Sequence, residues 1–315
     1  MKSSLLAFAL TALLAPVAWA NQAAPAAPPA ADIQAAAPAR HPLLWKVSDA
    51  DNAVYLLGSF HLLKPDDYPL PAEVDRAFDD SQQVLFEVDP AVMTAPETVT
   101  KMQQYMGYSD GKTLSQVMPR PMLEKLDTLL AAGGGSVAAM EHQEPWAVNL
   151  GLVLSISQAL GFRPELGLDR QLMAKVAQAG KTASGLETID EQLQAMDSIP
   201  YAEQNQGIDE FLTDPQKTIR QLNDMHAWWR AGDVEKLDSR MRAEMASKTP
   251  ESYRLLDVQR NDAWLPKLQA RLDGVKGSNT LVVVGALHLL GSDGLVEKLR
   301  AKGYKVERIC DRCTP

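Results

Sequence analysis

The sequence predicts an α/β domain whose central mixed sheet is built from both chain ends, with a large helical middle segment between them. Three observations predict it. Gly58-Ser59-Phe60-His61 and Gly285-Ala286-Leu287-His288 are one Gly-x-x-His device used twice, each following four or five apolar residues suited to a buried strand. Short apolar runs with turn residues between them concentrate before about residue 96 and after about residue 275. In between, the apolar residues suit helices instead. The simplest architecture sets the two ends side by side in one sheet and covers it with helices.

Residues 1 to 20 have the shape of a cleavable secretory signal, with Lys2 as the charged end, Leu5 to Leu14 as an apolar core too short to span a bilayer, and Ala18-Trp19-Ala20 as the cleavage site. The expected product starts at Asn21 and is periplasmic or secreted. No later run is long and apolar enough for a membrane helix. Residues 21 to 40 are almost wholly Ala, Pro and Gln, which cannot bury a core, so a disordered lead is expected before one domain over 41 to 315. The full chain carries a net charge of −9, and loss of the signal removes Lys2 and no acid. That dispersed acidity argues against nucleic acid or anionic lipid as the principal partner.

From His41 the elements follow in order. Leu43 to Val47 and Val54 to Leu57 read as strands around the turn residues Asp49 to Asn52, and the second delivers His61. Pro71 to Phe78 reads as a helix with Val74, Ala77 and Phe78 on one face. Gln83 to Val88 is an apolar strand that carries Glu87. An acid in such a run needs a partner or a cation, because burying it alone is costly; the alternative is an acid on the solvent face of an edge strand.

The helical segment runs from about residue 96 to about residue 275. Pro145 to Leu160 is apolar nearly all round and is expected to be buried. Met102, Met106, Met118, Met122 and Met140 read as core filling. A helix is expected after Gly167-Leu168-Asp169-Arg170, stopped by Gly180, and a strand over Thr182 to Leu186. Glu187 follows that strand and stands before a capping box, Thr188 to Glu191. It could face the same crevice as the histidines, or only cap or pair with an arginine. Trp228-Trp229, on a helix over Pro215 to Ala231, is expected to anchor the core rather than to stack sugars. The last long helix opens at Arg260-Asn261, and Thr280 to Val284, Gly294 to Lys302 and Lys305 to Ile309 make a final strand, helix and strand.

Cys310 and Cys313 are expected to form a small local disulfide in an oxidising compartment. A thioredoxin-like motif would want the pair at a helix start within the fold. Structural zinc would need two further ligands, and no Cys or His neighbouring in the sequence supplies them.

Two imidazoles brought together with a carboxylate match a divalent transition-metal site, with His61 and His288 as ligands and Glu87 as ligand or general base. Histidines held at turns by backbone carbonyls are the alternative. Nucleophile elbow, H-E-x-x-H, P-loop and G-x-G-x-x-G motifs are all missing from the sequence. His142-Gln143-Glu144 with the later cysteines is superficially similar to a zinc deaminase, but Ile309 stands where that signature has Pro.

The segments LWKVSDADNAVYLLGSFHLL, VLFEVD, GLDRQLMAKVAQAGKTASGLETIDEQL, RNDAWLPKL and VVVGALHLLGSDGLVEKLRAKGYKV together resemble the TraB/GumN family. That family is similar to the TIKI metalloproteases and more distantly to erythromycin esterase-like and ChaN-like proteins. The resemblance runs from about Pro42 onward and implies an α/β fold with one site built by both ends. It places His61, Glu87 and His288 there with Arg260, and Asn261, Asp169 and Glu187 nearby. The activity it implies is metal-dependent (Mn, Co or Zn) cleavage of a peptide or small-molecule substrate, with Arg260 holding a substrate carboxylate or stabilising developing charge. A non-catalytic role in binding haem or in exopolysaccharide assembly is the competing expectation.

Overall fold

The structure is a computed structural model and describes residues 40 to 274 and 276 to 313. The expected signal and lead, up to residue 39, lie outside the described residues. Six strands form one mixed sheet: β1 (Leu44–Ser48), β2 (Ala53–Ser59), β3 (Gln83–Val88), β4 (Thr182–Glu187), β5 (Thr280–Gly285) and β6 (Lys305–Arg308). Their order is β4-β3-β5-β2-β1-β6. The four from β4 to β2 are mutually parallel, while β1 runs antiparallel to both β2 and β6.

The central strand is β5, and its composition explains its place. Leu281, Val282, Val283 and Val284 are each at most 1 % exposed, as a parallel strand covered on both faces requires. Each such side chain contributes about 1.5–3 kcal/mol of burial. Polar side chains could not occupy that run without partners, so the register of β2 and β3 against β5 is tightly specified.

Helices α1 (Ala72–Asp80), α2 (Pro145–Ala159), α3 (Leu168–Ala179), α4 (Ile189–Asp197), α5 (Pro215–Ala231), α6 (Gln259–Gly274) and α7 (Leu295–Ala301) matter most for the site. Phe78, Leu172, Leu222, Trp264, Leu268 and Leu299 pack with the strands in one core. Two satellite cores, one around Trp146, Leu193 and Met196 and the other around Met118, Leu126 and Ile208, hold the middle segment together. Gly180 ends α3 in the left-handed conformation at φ 64°, and the Thr188 capping box opens α4.

Two readings need refinement. Helix α2 buries Trp146 to Leu150, but its second half buries only Val153 and Ser157 and exposes Gly151, Ser155, Gln158 and Ala159 along one side. The helical run into α6 begins earlier than Arg260: it widens to a π-helix over Arg254–Val258 before narrowing at Gln259. Such widened turns are frequent where a helix serves a site.

Candidate functional site

Parallel pairing brings the two Gly-x-x-His devices together. Ser59 at the end of β2 lies opposite Gly285 at the end of β5, so the turns carrying His61 and His288 leave the sheet side by side. On the other side of β5, β3 brings Glu87, and β4 beyond it brings Glu187 opposite Val88. Four adjacent strand ends therefore supply two histidines and two acids to one rim, where open α/β sheets place their ligands. A small pocket opens there, lined by His61, Glu87, Asp257, Gly285 and His288 among others.

Each imidazole is oriented from behind. His61 donates from Nδ1 to Asp169 Oδ1 at 3.0 Å. Asp169 reaches it because Gly167, just before α3, carries no side chain: a Cβ there would stand 2.3 Å from the His61 carbonyl oxygen. His288 donates from Nδ1 to Asn261 Oδ1 at 2.9 Å. The Asn261 amide is fixed in that sense because its Nδ2 donates to the carbonyls of His288 (3.2 Å) and Asp293 (2.9 Å). Both rings thus turn Nε2 to the pocket side, where that of His288 accepts from Arg260 Nη1 at 3.2 Å. His61 Nε2 and Glu87 Oε1 each lie 3.4 Å from where a Cβ of Gly285 would be, so that glycine leaves the space between them open.

The carboxylates are tied by one cation. Arg260 donates to Glu87 Oε2 (2.8 Å) and, through Nε and Nη2, to Glu187 (2.6–3.1 Å), while Nη1 approaches His288 Nε2 at 3.2 Å. Glu87 also accepts from Gln192 (3.0 Å) and from the Gly285 amide (2.7 Å). Trp264 donates to Glu187 at 3.1 Å and stacks near both His288 and Arg260.

Burial penalises the charge on Glu87, but Arg260, the two histidines and the Gly285 amide outweigh it and hold the group down at about 2. Burial pushes Glu187 up despite Arg260. Burial and the Arg260 charge bring His288 down to about 3, so its ring is neutral. For His61 burial lowers the value, yet the Asp169 charge and hydrogen bond, with Glu87, leave it raised. Asp257, in the π-helical turn, is 2 % exposed, and neither carboxylate oxygen has a hydrogen-bond partner. Its Oδ1 lies 3.8 Å from His288 Nδ1, and burial pushes it up to about 7.

The donor types suit a divalent transition-metal ion, and hydrogen-bonded partners fix both rings as such ligands require, but Arg260 occupies His288 Nε2 and Glu87 Oε2, so an ion held by all three would have to displace it. The spacing is wider than closed coordination. Among the described residues, the group of three His, Cys, Asp or Glu donors that all lie within 4.8 Å of one another is a different one, His41, Cys310 and Cys313.

All seven residues expected at the site, His61, Glu87, Asp169, Glu187, Arg260, Asn261 and His288, lie in this one cluster. Gln192, Trp264 and Asp257 were missed. The first two sit within segments that carry the family resemblance, whereas nothing in the sequence around Asp257 marks it.

A profile of the TraB/PrgY/gumN family matches residues 43–308. The chain belongs to the TraB/PrgY/gumN family. Among curated relatives, the uncharacterized protein YbaP of Escherichia coli K12 is 26 % identical over 249 residues, covering 78 % of this chain and 87 % of YbaP. The metalloprotease TIKI2 of Danio rerio is 23 % identical over 306 residues, covering 80 % of this chain and 58 % of TIKI2. No solved structure matches. For this TraB/PrgY/gumN member no helix among the described residues is long and apolar enough to cross a membrane.

Proposed function

We propose that this chain is a metal-dependent hydrolase of peptide or amide bonds, exported after removal of residues 1 to 20. The observation that carries the reading is the pair of Gly-x-x-His strand ends whose Nε2 atoms face one pocket beside Glu87. The distant likeness to a metalloprotease supports the same direction. His61, His288 and Glu87 would hold the ion (Mn, Co or Zn), which when bound supplies a polarised carbonyl and an acidified water.

The chain's own residues divide the remaining work. Asp169 and Asn261 fix the two rings in the tautomer that keeps Nε2 unprotonated. Glu87, held near 2, is a poor proton acceptor at neutral pH and serves as an anionic ligand. The Asp169 charge and hydrogen bond raise the basicity of His61, which would strengthen Nε2 as a ligand. Arg260 keeps Glu87 ionised and supplies positive charge beside the place where negative charge would develop. The disulfide supports an oxidising compartment.

The test is elemental analysis of the purified protein after loading with Mn, Co or Zn and desalting, together with hydrolysis of a peptide library, each repeated on His61→Ala with His288→Ala. Near-stoichiometric metal and cleavage in the wild type, both lost in the variant, are expected. Equal metal and equal cleavage in the two proteins would sink the proposal. A Soret band on adding haem, with no peptide cleaved, would favour a binding protein instead.

A further inference from the structure

The second cluster of donors lies at the sheet's outer edge and shares no residue with the pocket. Antiparallel pairing of β1 with β6 sets Trp45 opposite Arg308, so the residues before β1 run alongside those after β6. That brings His41 Nδ1 to 3.5 Å from Cys310 Sγ. Cys310 and Cys313 form a disulfide across a three-residue separation. With the imidazole they present three donor atoms all within 4.8 Å of one another. Cys313 is exposed, and Cys310 and His41 are half-exposed, so the bond is open to attack by an external thiol.

The three ligands are held in place by contacts that do not involve the disulfide. The Ile309 amide donates to the Leu44 carbonyl at 2.8 Å, and the Asp311 amide to Glu73 Oε1 at 2.9 Å. Arg76 pairs with the Asp311 carboxylate at 2.6 Å. On the other side, the His41 amide donates to the Arg230 carbonyl at 2.9 Å. Gly232, left-handed at φ 60°, admits His41 because a Cβ there would stand 2.8 Å from the His41 carbonyl oxygen. Opening the disulfide therefore leaves the backbone of both segments anchored, and the two sulfurs can move apart to bracket an ion.

We propose that Cys310, Cys313 and His41 form a redox-gated site for a thiophilic metal ion, closed as the disulfide and opened by a dithiol reductant to bind Zn2+. In the opening step a thiolate of the dithiol attacks Cys313 Sγ, the Cys310–Cys313 bond breaks, and Cys310 leaves as a thiolate beside the His41 imidazole. The second thiol of the reductant then attacks the mixed disulfide and releases Cys313, so the dithiol becomes a disulfide and gives up two electrons. Two thiolates and one imidazole suit Zn2+ and leave a fourth position for water. The two cysteines in sequence offered only half a zinc site; the sheet adds the histidine from the other end of the domain.

The test compares the full chain in its oxidised form with the same chain reduced by a phosphine, each titrated with Zn2+ against a chromophoric chelator and with Co2+ for thiolate-to-metal charge-transfer absorption. The reduced form should hold one ion more than the oxidised form and should alone show the Co2+ band. Cys310→Ser with Cys313→Ser should abolish the extra ion in a protein whose circular dichroism is unchanged. His41→Ala should weaken its binding by about tenfold or more, and His61→Ala with His288→Ala should retain it. Equal stoichiometry in the two redox forms, undiminished affinity in His41→Ala, or loss of the extra ion with the pocket histidines would each overturn the proposal. Because the pocket can fail its own test while this ion remains, the two readings are separable.

Discussion

Two buried histidine–carboxylate pairs differ in what the imidazole faces rather than in how deeply it is buried. His61 with Asp169 and His226 with Asp67 are spaced at 3.0 and 2.8 Å, and all four side chains are at most 9 % exposed. His226 meets rings on its open side: Phe162 edge-on at 4.9 Å and Phe60 at 5.8 Å. Asp67 is tied further by Arg230 at 2.9 Å and by the Lys64 amide at 2.7 Å. His61 instead turns Nε2 toward Glu87 and the bare edge of Gly285. A buried His–Asp pair is therefore not in itself a sign of chemistry. The sign is a second nitrogen that meets an open, charged space.

The sharpest way to break the comparison is to remove the arginine that serves each surrounding, Arg260 on the Glu87 side of His61 and Arg230 on Asp67. Arg260→Ala leaves Glu87 and Glu187 buried without their shared cation, which should cost about 3–5 kcal/mol at pH 8. Without Arg260 the two acids would titrate above their unfolded values. The variant should then lose stability as pH rises and recover part of it at pH 5. Arg230→Ala leaves Asp67 its His226 and Lys64 contacts and should cost clearly less. Thermal melts of both variants at the two pH values check this, and equal losses would erase the distinction.

The next largest effect separates the elements that carry each acid. A Cβ on Gly167 would meet a backbone carbonyl, which cannot swing aside. Gly167→Ala should therefore cost about 1–3 kcal/mol and displace Asp169 from His61, with metal affinity falling alongside stability. Asp169→Asn isolates the second part of that effect. It should lower metal affinity or peptide cleavage by about 10–100-fold with little change in melting temperature. Asp67→Asn should do the reverse, and metal titration beside calorimetry on the two variants decides it. Comparable loss of metal in Asp67→Asn would mean that the two pairs are not functionally distinct.

How much of this was legible in the sequence follows from which residues break a pattern. His61, Glu87 and His288 stand out because each interrupts or ends an apolar strand run, where a polar side chain needs a reason. Glu187 ended a strand too, but its capping-box neighbour offered a second explanation. Arg260, Asn261 and Asp169 lie on helices, where polar residues are ordinary, and only family resemblance pointed to them. Gln192 and Asp257 look like solvent-face positions until tertiary packing turns them inward. The meeting of His41 with the cysteines depends on strand pairing between distant segments, which no local spacing encodes.

Asp257 offers the finest test, since the pair around His226 has no counterpart to it. Its oxygens lack hydrogen-bond partners, and Glu87 and His288 are its neighbours on the pocket side, with Arg260 and Arg242 near enough to act on its charge. Burial moves it from an ordinary 3.8 up to about 7, against the pull of the two arginines. Between those values the folded chain keeps a proton that the unfolded chain has released. The stabilisation is thus whole below the unfolded value and is lost as pH rises through about 7. Asp257→Asn removes the titration while keeping the shape, so the variant should gain about 2–3 kcal/mol relative to wild type on going from pH 5 to pH 8. Comparing variant with wild type cancels the opposite trend that neutral His288 imposes on both. Parallel stability curves across that range would mean that Asp257 keeps its charge in the fold, and that a cation in the pocket, or a partner on the pocket side, must be balancing it.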